Sequence, residues 1–387
     1  MADGESRVVV VGGGLIGAAL AYELVGRGAP VSVIDAAHPG RATDAGAGIL
    51  SAATMLVDEA PWWDLASSSG AHYPALLARL AGDGVETGPA QYASCGLLSV
   101  VLRKHEDQWF QPFADLVQRR TPDLVSEVSA GEARSMFPPL GPIHRVLHCP
   151  GAARVDGRGM AELLREAARA RGVQFVAGSV TGVVGAVADG ASGPARSVRF
   201  VTVDGQADVP CAALVVAGGA WSAAVGEWLD FALPITPTKG QIVHLGVPAD
   251  TGGWPIVQPL LSHYLVPWPD GRVACGGTFE ADAGFSTTVT AAGVQELLRE
   301  GLAVAPGLAG AEYLTTRVGL RPSSLDDRPI IGAIPGWGNV WAATGHGANG
   351  LLLGPYSASI VADLVMGEAH RGRDSQRWSA FAPSRFT

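Results

Sequence analysis

The chain is 387 residues long and 48% hydrophobic, with a formal net charge of −9 and four cysteines. Such a length carries two domains with ample core, and the acidic balance excludes the basic footprint of a nucleic-acid or anionic-membrane binder. Cys95, Cys149, Cys211 and Cys275 stand apart from one another and from any histidine cluster, which indicates neither a metal site nor a disulfide framework. No uninterrupted apolar run could span a bilayer, so the cytoplasm is the expected compartment.

Val8-Val9-Val10-Val11 predicts a buried parallel strand, and Gly12, Gly14 and Gly17 stand in G-x-G-x-x-G spacing where it turns into a helix from about Leu15 to Arg27. Gly12 permits the tight turn, Gly14 lets the backbone approach a pyrophosphate, and Gly17 lets the helix sit close on the strand with its positive end aimed at the anion. A second strand, Val31 to Ile34, ends in Asp35, whose carboxylate suits a ribose diol and disfavours a 2′-phosphate, so NAD or FAD is expected rather than NADP. Pro39 to Ser51 reads as a Gly/Ala-rich loop running beside the ligand, with Arg41 and Thr43 as candidates for phosphate oxygens. A helix from about Trp62 to Leu80 follows.

At Tyr92 the texture changes. A strand over Gly96–Leu102, an amphipathic helix near His105–Arg119 and a Ser129/Glu132 capping box opening a short helix before Pro138-Pro139 look like a second domain inserted in the first. The earlier style returns with Asp156 capping a helix from about Arg158 to Arg171, the strand Val173–Val176, a hairpin-like Val198–Val203 with Asp204-Gly205, and the strand Leu214–Ala217. That last strand ends in Gly218-Gly219-Ala220-Trp221-Ser222, a second place where backbone can approach a ligand. Pro234 to Gly240 leads into strands at Gln241–Leu245, Tyr264–Pro267 and Val273–Gly276, a helix over Ala291–Ala303 and a strand around Tyr313–Val318. Finally come a buried strand Val340–Ala343, a glycine turn from Gly345 to Gly350, and a helix Leu351–Met366 interrupted early by Pro355. The resulting division is residues 1–88, 151–234 and 318–387 for the dinucleotide domain, and 89–150 and 235–317 for the inserted one.

These residues resemble the D-amino-acid oxidase superfamily of flavoproteins, most closely its glycine oxidase branch, including the thiazole-biosynthesis type. The likeness runs through the G-x-G-x-x-G turn with Asp35, Ala47-Gly48-Ile49-Leu50, Ala217-Gly218-Gly219-Ala220-Trp221-Ser222 and Pro237-Thr238-Lys239-Gly240. It continues in His263-Tyr264-Leu265-Val266-Pro267, Gly319-Leu320-Arg321-Pro322, and Gly345-His346 with Asn349-Gly350-Leu351-Leu352. The resemblance implies an α/β fold: a Rossmann-like FAD-binding domain of parallel sheet and helices, interrupted by a substrate domain with a mixed, largely antiparallel sheet. It implies FAD, held non-covalently because no cysteine matches the covalent position. The implied cofactor contacts are Gly12, Gly14, Leu15, Ile16, Gly17, Asp35, Arg41, Thr43, Ala47, Gly48, Ile49, Val180, Gly218, Trp221, Arg321, Gly347, Asn349, Gly350 and Leu351. No metal is implied.

The implied reaction is oxidation of a Cα–N bond beside a carboxylate, by hydride transfer to the flavin, with O2 or another acceptor reoxidising it. Arg321 would clamp the carboxylate with a bidentate guanidinium and Tyr264 would support it, unless Arg321 merely pairs with Asp326 or Asp327 and Tyr264 is a core aromatic. His346 would either touch the flavin or activate oxygen. Lys239 is either a loop lysine or a positive charge near the flavin. The sequence departs from the branch at Gly347 and Ala348, where a bulky residue and an arginine are usual, so a roomier pocket is expected, for a D-amino acid or an N-substituted amino acid. Other readings are a dehydrogenase serving a quinone or protein, a tailoring amine oxidase acting on a larger substrate, an NAD-dependent dehydrogenase, and a flavin-binding subunit of a larger assembly. A homo-oligomer is compatible with all of them.

Overall fold

In a computed structural model, which describes residues 7–122, 124–188, 191–202, 204–367 and 377–387, the Val8–Val11 strand is buried on both sides. It pairs in parallel with Val31–Asp35 and with Ala213–Val216. The six-stranded sheet runs in spatial order Ile330–Ala333, Val340–Thr344, Ala213–Val216, Val8–Val11, Val31–Asp35, Gln174–Ala177, and only its Ile330–Ala333 edge is antiparallel. Val8 and Val10 point into one core with the helices Leu15–Gly26, Ala60–Gly82, Gly157–Ala170 and Gly350–Val365. Val9 and Val11 point into another, closed by the helix Ser222–Trp228 and a small antiparallel sheet. Apolar packing on both faces is why the strand reads as an unbroken valine run.

A second, eight-stranded sheet takes its strands from 97–149 and 235–324 and is antiparallel throughout except where Ile256–Pro259 lies along Leu97–Val101. Its outer face packs on the helix Ala291–Val304 through Leu297. Its inner face, carrying Ile242, Tyr264, Val266 and Trp268, turns toward the loop after Val31–Asp35. The capping box is formed as expected: Ser129 Oγ accepts from Glu132 N and the Glu132 carboxylate accepts from Ser129 N. Among the described residues no helix is long and apolar enough to cross a membrane.

Several expected elements change. The Pro39–Ser51 loop contains a short helix, Ala42–Ala45, and a short strand, Ile49–Leu50, paired with Ala153–Arg154. The single hairpin-like segment is a three-stranded sheet of Ser179–Ala188, Ala191–Thr202 and Gly205–Pro210; Val203 lies outside the described residues. Pro237 does not delay its strand, which runs Ile235–Gly246, because it sits opposite Pro322, a pairing in which neither position needs an N–H. The strand expected to stop at Val318 extends as Glu312–Ser324, so Arg321 lies within a strand rather than after one, and the boundary expected at 317/318 falls inside it. Nor does Pro355 interrupt its helix. The carbonyl it leaves without a helical donor, that of Leu351, accepts the Tyr73 hydroxyl instead.

Candidate active site

A cleft of about 390 Å³ opens at the carboxyl ends of the strands Val8–Val11, Val31–Asp35, Ala213–Val216 and Val340–Thr344. Gly12 has φ +101°, and a Cβ there would stand 2.4 Å from the Ala217 carbonyl oxygen. A Cβ on Gly17 would stand 1.8 Å from the Gly12 oxygen. Gly17 itself does not line the cleft, so its part is to let the helix close on the turn, while Gly14, Leu15 and Ile16 line it. Thr43, expected at a phosphate, accepts the Leu15 N–H at 3.0 Å and thereby caps the helix whose N-terminus faces the cleft. Arg165, which the sequence pattern does not single out, donates to the Gly13 carbonyl at 2.9 Å and ties this turn to the helix Gly157–Ala170.

Asp35 and Arg41 both line the cleft, and Arg41 meets Asp35 at 3.1 Å and Asp44 at 2.9 Å. Ala47, Gly48, Ile49, Val180, Gly218 and Trp221 line the same cleft. Gly48 has φ +87°, and a Cβ on it would meet the Val155 oxygen at 2.3 Å. Trp221 stacks on His38, which the sequence reading missed, with ring centroids 4.8 Å apart. Gly347, Gly350 and Leu351 reach the cleft from the other end of the chain, whereas Asn349 does not line it; its N–H is spent on the His346 carbonyl at 2.9 Å. The two glycine turns are joined by Ser222 and Thr344, whose hydroxyls lie 2.8 Å apart. Backbone that no side chain could occupy, next to a helix N-terminus and a carboxylate, fits a flavin dinucleotide.

The Glu312–Ser324 strand brings the remaining candidates together. Leu320 N donates to the Gly40 carbonyl at 2.8 Å, and Ser323 bridges His346, so the loop after Asp35 and the second glycine turn both touch the strand that carries Arg321. Arg321 lies over Gly240, where a Cβ would collide with its guanidinium at 2.3 Å. It donates to the carbonyls of Thr278 at 2.9 Å and Lys239 at 3.4 Å. It makes no ion pair with Asp326, which Arg385 holds at 2.7 Å, nor with any other described carboxylate. Phe279, absent from the sequence reading and largely exposed, has its ring 5.6 Å from the guanidinium carbon. Arg321 and the Tyr264 hydroxyl approach the same backbone: a Cβ on Gly277 would lie 3.0 Å from one and 3.1 Å from the other. Burial pushes the Tyr264 phenol up to about 12 against the opposing pull of Arg321, so the hydroxyl keeps its proton.

His346 is 2% exposed, and its Nε2 lies 3.0 Å from Ser357 Oγ. Burial drives its pKa down to about 3, against a weaker upward pull from the Thr344 carbonyl, so the imidazole is neutral. Lys239 is neither a loop residue nor in the cleft lining. It is buried in a strand and paired with Glu280 at 3.0 Å. None of the four cysteines lines the cleft.

The family model "FAD dependent oxidoreductase" (DAO) matches residues 7–364. The uncharacterized oxidoreductase YurR of Bacillus subtilis is 35% identical over 370 residues, covering 93% of this chain and 95% of its own length. A glycine oxidase of Pseudomonas aeruginosa is 32% identical over 374 residues, covering 94% and 95%. Among solved structures, iminodiacetate oxidase (IdaA) of Chelativorans sp. BNC1 superposes with a TM-score of 0.87 at 35% identity, covering 97% of this chain and 99% of that one.

Proposed function

From the premise that the chain belongs to the DAO family of FAD-dependent oxidoreductases, we propose that it oxidises the Cα–N bond of a small N-substituted amino acid to an imine, with O2 as the final acceptor. The observation that carries this reading is Arg321: a guanidinium at the cleft with neutral carbonyl partners and no carboxylate. Bound FAD supplies a two-electron acceptor. Arg321 and Tyr264 bind the substrate carboxylate and fix its Cα, which converts a loose encounter into a single productive pose. Tyr264 donates a hydrogen bond and retains its proton. The ionisable groups lining the cleft are Asp35, His38, Arg41, Tyr264, Arg321 and His346, and Asp35 is paired with Arg41. With His346 neutral and Arg321 engaged with the carboxylate, no placed base takes part at the substrate end, so the amine enters already deprotonated and His346 serves as a cofactor contact rather than a charge for oxygen. In this reading residues 1–88, 151–234 and 325–387 form the cofactor body and 89–150 and 235–324, with the whole Glu312–Ser324 strand, the substrate body of a cytoplasmic enzyme.

The choice of an N-substituted substrate rests on two supports. Ala348 lines the cleft with a single methyl group, and a relative with high structural similarity is named for iminodiacetate, a glycine carrying a second carboxymethyl group on nitrogen. Anaerobic flavin reduction with glycine, D-amino acids, N-methylglycine and iminodiacetate tests it, followed by admission of air and peroxide detection. Faster reduction by the N-substituted compounds, with peroxide formed, is expected. Preference for glycine contradicts the substrate, and absence of peroxide contradicts the acceptor.

A further inference from the structure

Lys239 sits within the Ile235–Gly246 strand, 2% exposed, with its Nζ on Glu280 Oε2 at 3.0 Å. Lys239 and Glu280 also exchange backbone hydrogen bonds of 3.1 and 2.9 Å, so the chain leaving the Arg272–Gly276 strand continues alongside Lys239. The other Glu280 oxygen accepts from Thr278 Oγ1 at 2.7 Å and Gln241 Nε2 at 2.8 Å. Although burial works the other way, the hydrogen bonds from Gln241, Thr278 and Lys239 keep Glu280 below the usual carboxylate range, so it is ionised. Thr278 and Lys239 are the two residues whose carbonyls hold Arg321. A full negative charge is therefore fixed against both supports of the guanidinium.

Uncompensated, that charge would draw on Arg321 and repel an arriving carboxylate, and a buried ammonium beside it cancels both effects. We infer that Lys239 is a positioning residue: it neutralises Glu280 and so keeps the Arg321 guanidinium free for the carboxylate of the substrate. This rests on the proposed role of Arg321 and adds a reason for a buried lysine outside the cofactor cleft.

The test uses the FAD-loaded enzyme and N-acetylglycine, a carboxylate whose amide nitrogen resists oxidation, with binding read from the perturbed flavin spectrum. K239M should weaken binding roughly tenfold, whereas E280Q, which removes the anion and leaves the cation, should match or exceed wild type. K239M/E280Q should return to within about threefold of wild type. A purely structural pair would weaken binding in both single variants and more in the double. Wild-type binding by K239M, or a double variant as weak as K239M, would overturn the inference. R321M separates the two claims: if it binds the probe as tightly as wild type, the assignment of Arg321 itself fails. If it loses binding while K239M does not, only the role of Lys239 fails.

Discussion

Arg321 donates from Nη1 to the carbonyl oxygen of Thr278 at 2.9 Å, so it is oriented by a neutral acceptor and reaches the cleft with its charge unspent. Replacing it with methionine keeps the bulk and removes the fork. Losing a charge-assisted pair of this kind costs about 2–5 kcal/mol, which places kcat/KM for R321M roughly 30- to 4,000-fold below wild type. Because the cradle glycines and Asp35 are untouched, FAD content should be unchanged. Steady-state kinetics with a flavin-to-protein absorbance ratio check both halves.

The pH profile should report the substrate and not the protein. Tyr264 is held up at about 12 and His346 down at about 3, so neither titrates between pH 5 and 10. The rise of kcat/KM toward alkaline pH then belongs to the substrate ammonium, and substrates with less basic nitrogens should move it to lower pH. Y264F should lose about 1.5–3 kcal/mol of carboxylate binding and keep the same limb. A limb that moved in Y264F but not with the substrate would contradict this.

Acid stability carries a signature of the two buried histidines. His244, 3% exposed, is held down at about 3 by burial together with Arg317, Arg272 and Arg158, and His346 is held at about 3 chiefly by burial. Between pH 6.5 and about 3 the unfolded chain binds a proton at each that the folded chain refuses, so stability falls as pH drops through this window. At pH 5 the loss is about 2 kcal/mol per histidine. Urea unfolding of H244Q at pH 7.5 and pH 5 should show a pH-dependent loss smaller by about that amount than in wild type.

Much of the cofactor half was legible from residue spacing. Gly12 and Gly17 are constrained by backbone clearance, which leaves a fixed pattern, and Asp35 stands at the end of the following strand where it lines the cleft. Legibility failed where a neighbour distant in sequence decides. Pro355 reads as a helix breaker until Tyr73 supplies the missing donor, and the pairing of Arg41 with Asp35 and Asp44 is not marked by any spacing in the sequence. The supports of Arg321, Thr278 and the Lys239–Glu280 pair, carry no local signature because sheet register alone brings them together.

Ala348 gives a direct handle on selectivity. It is exposed and lines the cleft. A348R would fill that space with a long side chain, favouring the smallest substrate. The ratio of kcat/KM for N-substituted glycines over glycine should fall by about tenfold or more, consistent with a steric loss of a few kcal/mol or less. An unchanged ratio would place the N-substituent elsewhere.

Stopped-flow reduction of the anaerobic enzyme by an N-substituted glycine, wild type beside R321M, tests the central claim most directly. Rapid saturable bleaching of the flavin is expected in wild type, with a rate in R321M that stays low and fails to saturate at the same concentrations. Equal, saturating bleaching in the two proteins would contradict it.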